Sequence, residues 1–170
     1  MGYTTEFAGS FKFDKPLSAA QVAYIKAFNE SRRMKRNVDL ASAFPDPLRL
    51  AVGLPLGVDG EFFVGGDGLR GQADDRSVVD YNRQPSTQPG LWCQWTVSDD
   101  GTELMWDGVE KFYRYVDWLR YLIANFFVPW GVKLSGDVYW KGEEDSDIGI
   151  IFVTDNEVKL ESPPVAEEGT

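Results

Sequence analysis

From residue 91 onward, apolar and polar positions alternate with a regularity that the first half of the chain lacks. Leu91, Cys93, Trp95 and Val97 fall on one side of an extended segment and Trp92, Gln94 and Thr96 on the other, which predicts a strand. The turn sequence SDDG, residues 98–101, predicts a hairpin whose return strand places Leu104 and Trp106 on one side and Glu103 and Met105 on the other. The period then changes. Val109, Phe112, Val116, Leu119, Ile123 and Phe126 recur at helical spacing behind a D-x-x-E cap pair, Asp107 and Glu110, so a helix is predicted over 108–127, ended by Pro129 and Gly131. Tyr113, Tyr115, Trp118, Leu122 and Phe127 widen its apolar face, so the helix is either deeply buried or offers aromatic surface to a partner. Alternation returns at Val132, Leu134, Gly136, Val138 and Trp140. The turn GEEDSD, a strand at IGIIFV, the turn TDNE and a short strand at VKL then complete an antiparallel meander.

The first half is less regular. Phe11 and Phe13 against Ser10, Lys12 and Asp14 predict a strand. Ser18 and Gln21 have the S-x-x-Q spacing of a capping box, with Leu17 and Val22 as its hydrophobic staple, so a helix follows, carrying Val22, Ile25 and Phe28 on one face and running toward residue 36. Residues 37–90 are rich in proline and glycine, and only brief elements are predicted there: a helical turn at 48–52 and strands at EFFVG and RSVVDYN. Such a long irregular connection is often functional, which makes it a candidate site. The element order predicts an α+β two-layer sandwich, a mostly antiparallel sheet with two helices on one face. The specific expectation is a ferredoxin-like core elaborated by extra C-terminal strands. A single domain is expected over 1–160, followed by a disordered acidic tail, 161–170.

Composition narrows the function classes. The net charge of −10 is unevenly spread: residues 1–85 carry eleven Lys/Arg and eleven Asp/Glu, whereas residues 86–170 carry six against sixteen. This field disfavours direct nucleic-acid binding. The one basic cluster, Arg32, Arg33, Lys35 and Arg36 in SRRMKR, is expected to be solvated at a helix C-terminus, with an anion or acidic-partner site as the alternative. A lone cysteine and the lack of a leader-like N-terminus predict a cytoplasmic protein, and charged interruptions in FYRYVDWLRYLIANFFVPW argue against a membrane span.

The chain has no histidine, which removes Ser-His-Asp and Cys-His catalysis and histidine–metal sites. Cys93 on the inward side of its strand reads as a small core residue. GGDGLRG matches no phosphate-binding motif and reads as turn glycines. Carboxylates remain. Asp74, Asp75 and Asp80 lie near Arg76, where an Asp80–Arg76 pair would pin the loop, and Glu143, Glu144, Asp145 and Asp147 share one turn that reads as solvated; neither group has EF-hand spacing, and no metal or other cofactor is assigned.

The string RSVVDYNRQPSTQPGLWCQW, with WDGVEKFY, FFVPWGVKLSGDVYWKGEE and an opening YTTEF…GSF, resembles a family of small acidic uncharacterised proteins from bacterial and tailed-phage genomes. The resemblance implies no established activity; it implies a protein that works by occupying a host protein. Two readings follow. The first is a non-enzymatic interaction protein that presents Trp92, Tyr115, Trp118, Glu143, Glu144 and Asp145 to a basic protein, as an inhibitor or modulator would. The second is a small-ligand or nucleotide-binding protein, or a metal-dependent enzyme, with Asp75, Arg76, Asp80, Tyr81 and Asn82 as its site in loops 57–83.

Overall fold

Phe11 and Phe13 point inward from the central strand β1 (Glu6–Phe13), while Lys12 between them faces solvent. The computed structural model describes residues 2–66 and 74–162. Helix α1 (Ala19–Glu30) begins at the predicted capping box: Ser18 Oγ accepts from the Gln21 amide at 3.2 Å, and Gln21 Oε1 accepts from the Ser18 amide at 2.9 Å. Leu17 and Val22 of the staple are both buried. The helix stops at Glu30, short of the basic cluster, which enters a two-residue strand, β2 (Lys35–Arg36). Short helices α2 (Val38–Ala41) and α3 (Pro47–Ala51), a 3-10 turn at Val58–Gly60 and strand β3 (Val78–Asp80), paired with β2, follow. The expected strand at EFFVG is absent, because Gly57, Asp59 and Gly60 all adopt positive φ and curl the chain there.

The second half is hairpin β4 (Trp95–Val97) and β5 (Glu103–Trp106), helix α4 (Tyr115–Leu122), then β6 (Leu134–Lys141), β7 (Ile148–Thr154) and β8 (Glu157–Glu161). The six-stranded antiparallel sheet has the order β4-β5-β1-β6-β7-β8 and does not close into a barrel. Within it, β6-β1-β5-β4 is the fourth-first-third-second order of a β-α-β-β-α-β unit. The ferredoxin-like core is therefore present, and β7 and β8 extend it beyond β6. Both α1 and α4 pack on the inward face, where Phe28 meets Trp118 at a centroid distance of 5.8 Å and Trp95 meets Phe11 at the same distance.

The long helix is shorter than expected. Residues 108–114 are irregular because Gly108, Lys111 and Arg114 all take positive φ, and Asp107 uses its Oδ1 to accept from the Val109 amide in a local turn. After Leu122 the helix widens into a π segment, Ile123–Phe127, in which Ile123, Phe126 and Phe127 are all buried. Two glycines let large rings fit the inward face of the sheet. Gly136 holds φ at +142° opposite Phe11. Gly149 lies opposite Trp140, whose indole occupies the space a Cβ would take.

Candidate functional site

The ligand-type residues of the first half are engaged with one another and with the core. Asp75 Oδ2 pairs with Arg36 Nη1 at 3.1 Å, and its Oδ1 accepts from the Ser77 amide at 2.8 Å. Burial alone would raise the Asp75 pKa, but hydrogen bonds from Ser77 and Arg36 outweigh it and hold the carboxyl below its usual range. Arg76 lies over Phe44, Asp80 pairs with Arg83 at 3.5 Å, and the Asn82 amide donates to Asp80 at 2.9 Å. The expected Asp80–Arg76 pair is replaced by these contacts. Arg32 lies over the Tyr81 ring and donates to Tyr81 O and Asn82 Oδ1. Residues 67–73 of the glycine-rich loop lie outside the described residues. Among the described residues no group of three acidic or thiol side chains is gathered as a metal site would need.

The basic cluster is not a solvated patch. Arg33 is 2% exposed, its guanidinium over the Phe28 ring and donating to Glu61 O at 2.6 Å, and Arg36 lies over Phe63. Burial lowers the pKa of both guanidinium groups. These cations fasten the irregular loops onto the core, since the chain bends away from helix after Glu30 and turns them inward.

Among the partner-facing candidates the structure separates three situations. Trp118 is fully buried and belongs to the core, which corrects its assignment to a surface: the helix turns that side toward α1, against Phe28. Tyr115 is half-buried between Phe7, Phe112 and Trp140, and burial pushes its phenol pKa up to about 12. Trp92 is half-buried as well, but it sits in the wall of a surface groove.

Trp92 stands between two adjoining grooves. The larger, about 560 Å³, is lined by Asn29, Trp92, Gln94, Asp107, Glu110 and Lys111 among others. The smaller, about 390 Å³, shares Trp92, Gln94 and Lys111 and adds Leu91 and Tyr113. Tyr113 is 53% exposed and Val109 is 56% exposed, so apolar surface extends along this wall. Asn29 holds the floor together: its Nδ2 donates to Cys93 O, Trp95 O and Asp107 Oδ2 at 3.0, 3.2 and 2.9 Å. Burial pushes the Asp107 pKa up. Glu143, Glu144 and Asp145 are exposed in the β6–β7 turn, and residues Tyr3 and Thr4 bridge that turn to the same wall. The Tyr3 amide donates to Tyr113 Oη at 3.0 Å, the Tyr3 hydroxyl donates to Asp147 Oδ2 at 2.7 Å, and the Thr4 amide donates to Glu143.

The alternation that put Gln94 on the Trp92 side was readable in the sequence. Asn29, Val109, Lys111 and the inward role of Asp107 were not, because Asp107 and Glu110 mimic a helix cap and Asn29 reaches the groove from α1 only in the folded chain.

The class defined by this architecture is an α+β protein with an open antiparallel sheet on a ferredoxin-like core. No family model matches the chain, and no curated protein or solved structure matches it. No helix among the described residues is long and apolar enough to cross a membrane.

Proposed function

We propose that the protein acts by binding, as a non-enzymatic interaction protein that holds a basic protein partner on the wall around Trp92. The observation that carries this reading is the placement of Trp92, a large amphipathic ring left partly exposed between two grooves, with Val109 and Tyr113 exposed beside it. A central aromatic anchor in a concave apolar setting with a charged rim is the arrangement from which binding hot spots are built. The acidic turn at Glu143 and Glu144, tied to this wall through Tyr3 and Thr4, supplies the negative flank that a cationic partner needs. In the phage setting that the sequence resemblance implies, such a surface modulates a host protein by occupying it. Chemistry at a nucleophile has little support: Cys93 is fully buried, and burial pushes its thiol pKa up to about 12.

The test is affinity capture from the native host at low salt with three forms of the chain: wild type, Trp92→Ala, and Tyr139→Ala, an exposed ring on β6 that lines neither groove. A basic protein recovered in stoichiometric amount by wild type and Tyr139→Ala but lost with Trp92→Ala supports the reading. Equal recovery by all three, or no stoichiometric partner, overturns it.

A further inference from the structure

The side-chain amides of the larger groove are one-sided in what they leave free. The Asn29 amide nitrogen is already shared among three acceptors, two main-chain carbonyls and Asp107 Oδ2. The Gln94 Nε2 donates to Glu110 O at 3.2 Å and Lys111 O at 3.4 Å, and these two carbonyls determine which end of the amide is nitrogen. Among the described residues the Gln94 oxygen on the other side has no donor, although Gln94 is only 9% exposed. A buried acceptor without a partner is costly, of order 1–3 kcal/mol, and native structures carry few. Asp107 is half-buried and, among the described residues, its side chain takes hydrogen bonds from neutral groups, the Asn29 amide and the Val109 main chain. Glu110 adds a further carboxylate, and Lys111, the cation lining the groove, stands 3.7 Å from it. The groove therefore offers acceptors and an indole face to an incoming group, with its own side-chain amide donors committed.

A guanidinium fits that combination. It is planar, stacks on tryptophan, and carries five N–H donors with no acceptor. A carboxylate or phosphate would meet Asp107 and Glu110 with like charge, and a purely aliphatic group would leave the Gln94 oxygen as it is. We propose that the groove beside Trp92 takes an arginine side chain of the partner, laid against the Trp92 indole and donating to Asp107 and to the Gln94 Oε1. This rests on the reading of the Trp92 wall as a protein-binding surface and names the side chain that the wall selects.

The test uses the full chain, ¹⁵N-labelled, titrated with an acetylated, amidated pentapeptide of four alanines around a central arginine, and with the same peptide carrying citrulline or norleucine instead. Citrulline keeps the shape and removes the charge. The expected result is saturable movement of the Trp92 indole N–H and Gln94 side-chain amide resonances with the arginine peptide, and binding at least about tenfold weaker with citrulline and norleucine, a factor equivalent to about 1.4 kcal/mol. Asp107→Asn should weaken arginine binding by a similar factor. Because Asp107 also braces Asn29 and Val109, Gln94→Met serves as the second variant and should also weaken it while the remaining amide spectrum stays dispersed. Equal binding of arginine and citrulline peptides, or no movement of either resonance with any peptide, overturns the inference. In the latter case, loss of partner capture by Trp92→Ala would still uphold the Trp92 surface, so the two failures are distinguishable.

Discussion

The Tyr121 hydroxyl donates a 2.7 Å hydrogen bond to Oε1 of Glu61 inside the protein, joining helix α4 to the loop after the 3-10 turn across 60 positions of sequence. The same carboxylate accepts from Thr87 Oγ1 at 2.9 Å and from the Val58 amide at 2.9 Å, so one buried acid ties helix α4, the 3-10 turn and the loop at Thr87 together. A hydrogen bond to a charged group contributes about 1.5–3 kcal/mol. Tyr121→Phe should therefore lower unfolding free energy by roughly that amount in urea denaturation. A change smaller than about 0.5 kcal/mol, the size of an ordinary surface substitution, would mean that Glu61 finds another donor.

Asp75 supplies a pH-dependent contribution. Its folded pKa lies below the ordinary value because hydrogen bonds from Ser77 and Arg36 outweigh the effect of burial. A depressed carboxyl pKa contributes stability that is present above the unfolded value, about 3.9, and is lost as pH falls through the folded one. Asp75→Asn should destabilise at pH 7 by roughly 1–3 kcal/mol, since Arg36 is buried and loses an ion-pair partner. The gap between variant and wild type should narrow in denaturation curves taken below about pH 4. An undiminished gap at pH 3 would show that the effect is packing and not charge.

Cys93 should be inert in the folded chain. It is fully buried, and its thiol pKa is pushed up to about 12 by burial. A disulfide reagent that reports thiolate release at pH 8 should give no reaction with native protein and one equivalent in denaturant. Comparable rates in both conditions would place the sulfur at the surface.

Gly136→Ala should disturb the centre of the sheet. At φ +142° a new Cβ would lie 2.9 Å from Ser10 O and 3.1 Å from Phe11 Cα, both main-chain atoms that cannot swing aside. The backbone conformation alone costs about 1–3 kcal/mol for a residue other than glycine. Chemical denaturation should show a loss of at least that size, and a neutral result would mean that β1 and β6 can separate locally without penalty.

The parts of the fold readable from sequence are those where local pattern and tertiary role agree. Ser18 and Gln21 form the cap that their spacing implies, and Cys93, Trp95 and Val97 are buried on the side that alternation assigns them. The α+β class and the ferredoxin-like expectation followed from the alternation of helices and hairpins, and the strand order agrees with them. Where a side chain has two uses the pattern misled: Asp107 and Glu110 have cap spacing, yet Lys111 and Arg114 take positive φ and the helix waits until Tyr115. Trp118 was legible as apolar, but only the packing of α4 beside α1 decides that it faces Phe28 and not solvent.

The sequence by itself determined the period of the strands around the two hairpins, the α+β class, the acidic second half and the lack of histidine chemistry, because these depend on residues a few positions apart or on composition alone. The tertiary structure decided that Arg33 and Arg36 turn inward, that Asp75 pairs with Arg36, and that Asn29, Trp92, Gln94 and Asp107 share one groove. Those outcomes depend on distances between segments far apart in the chain, and such distances exist only once burial of the aromatic core has brought the segments together.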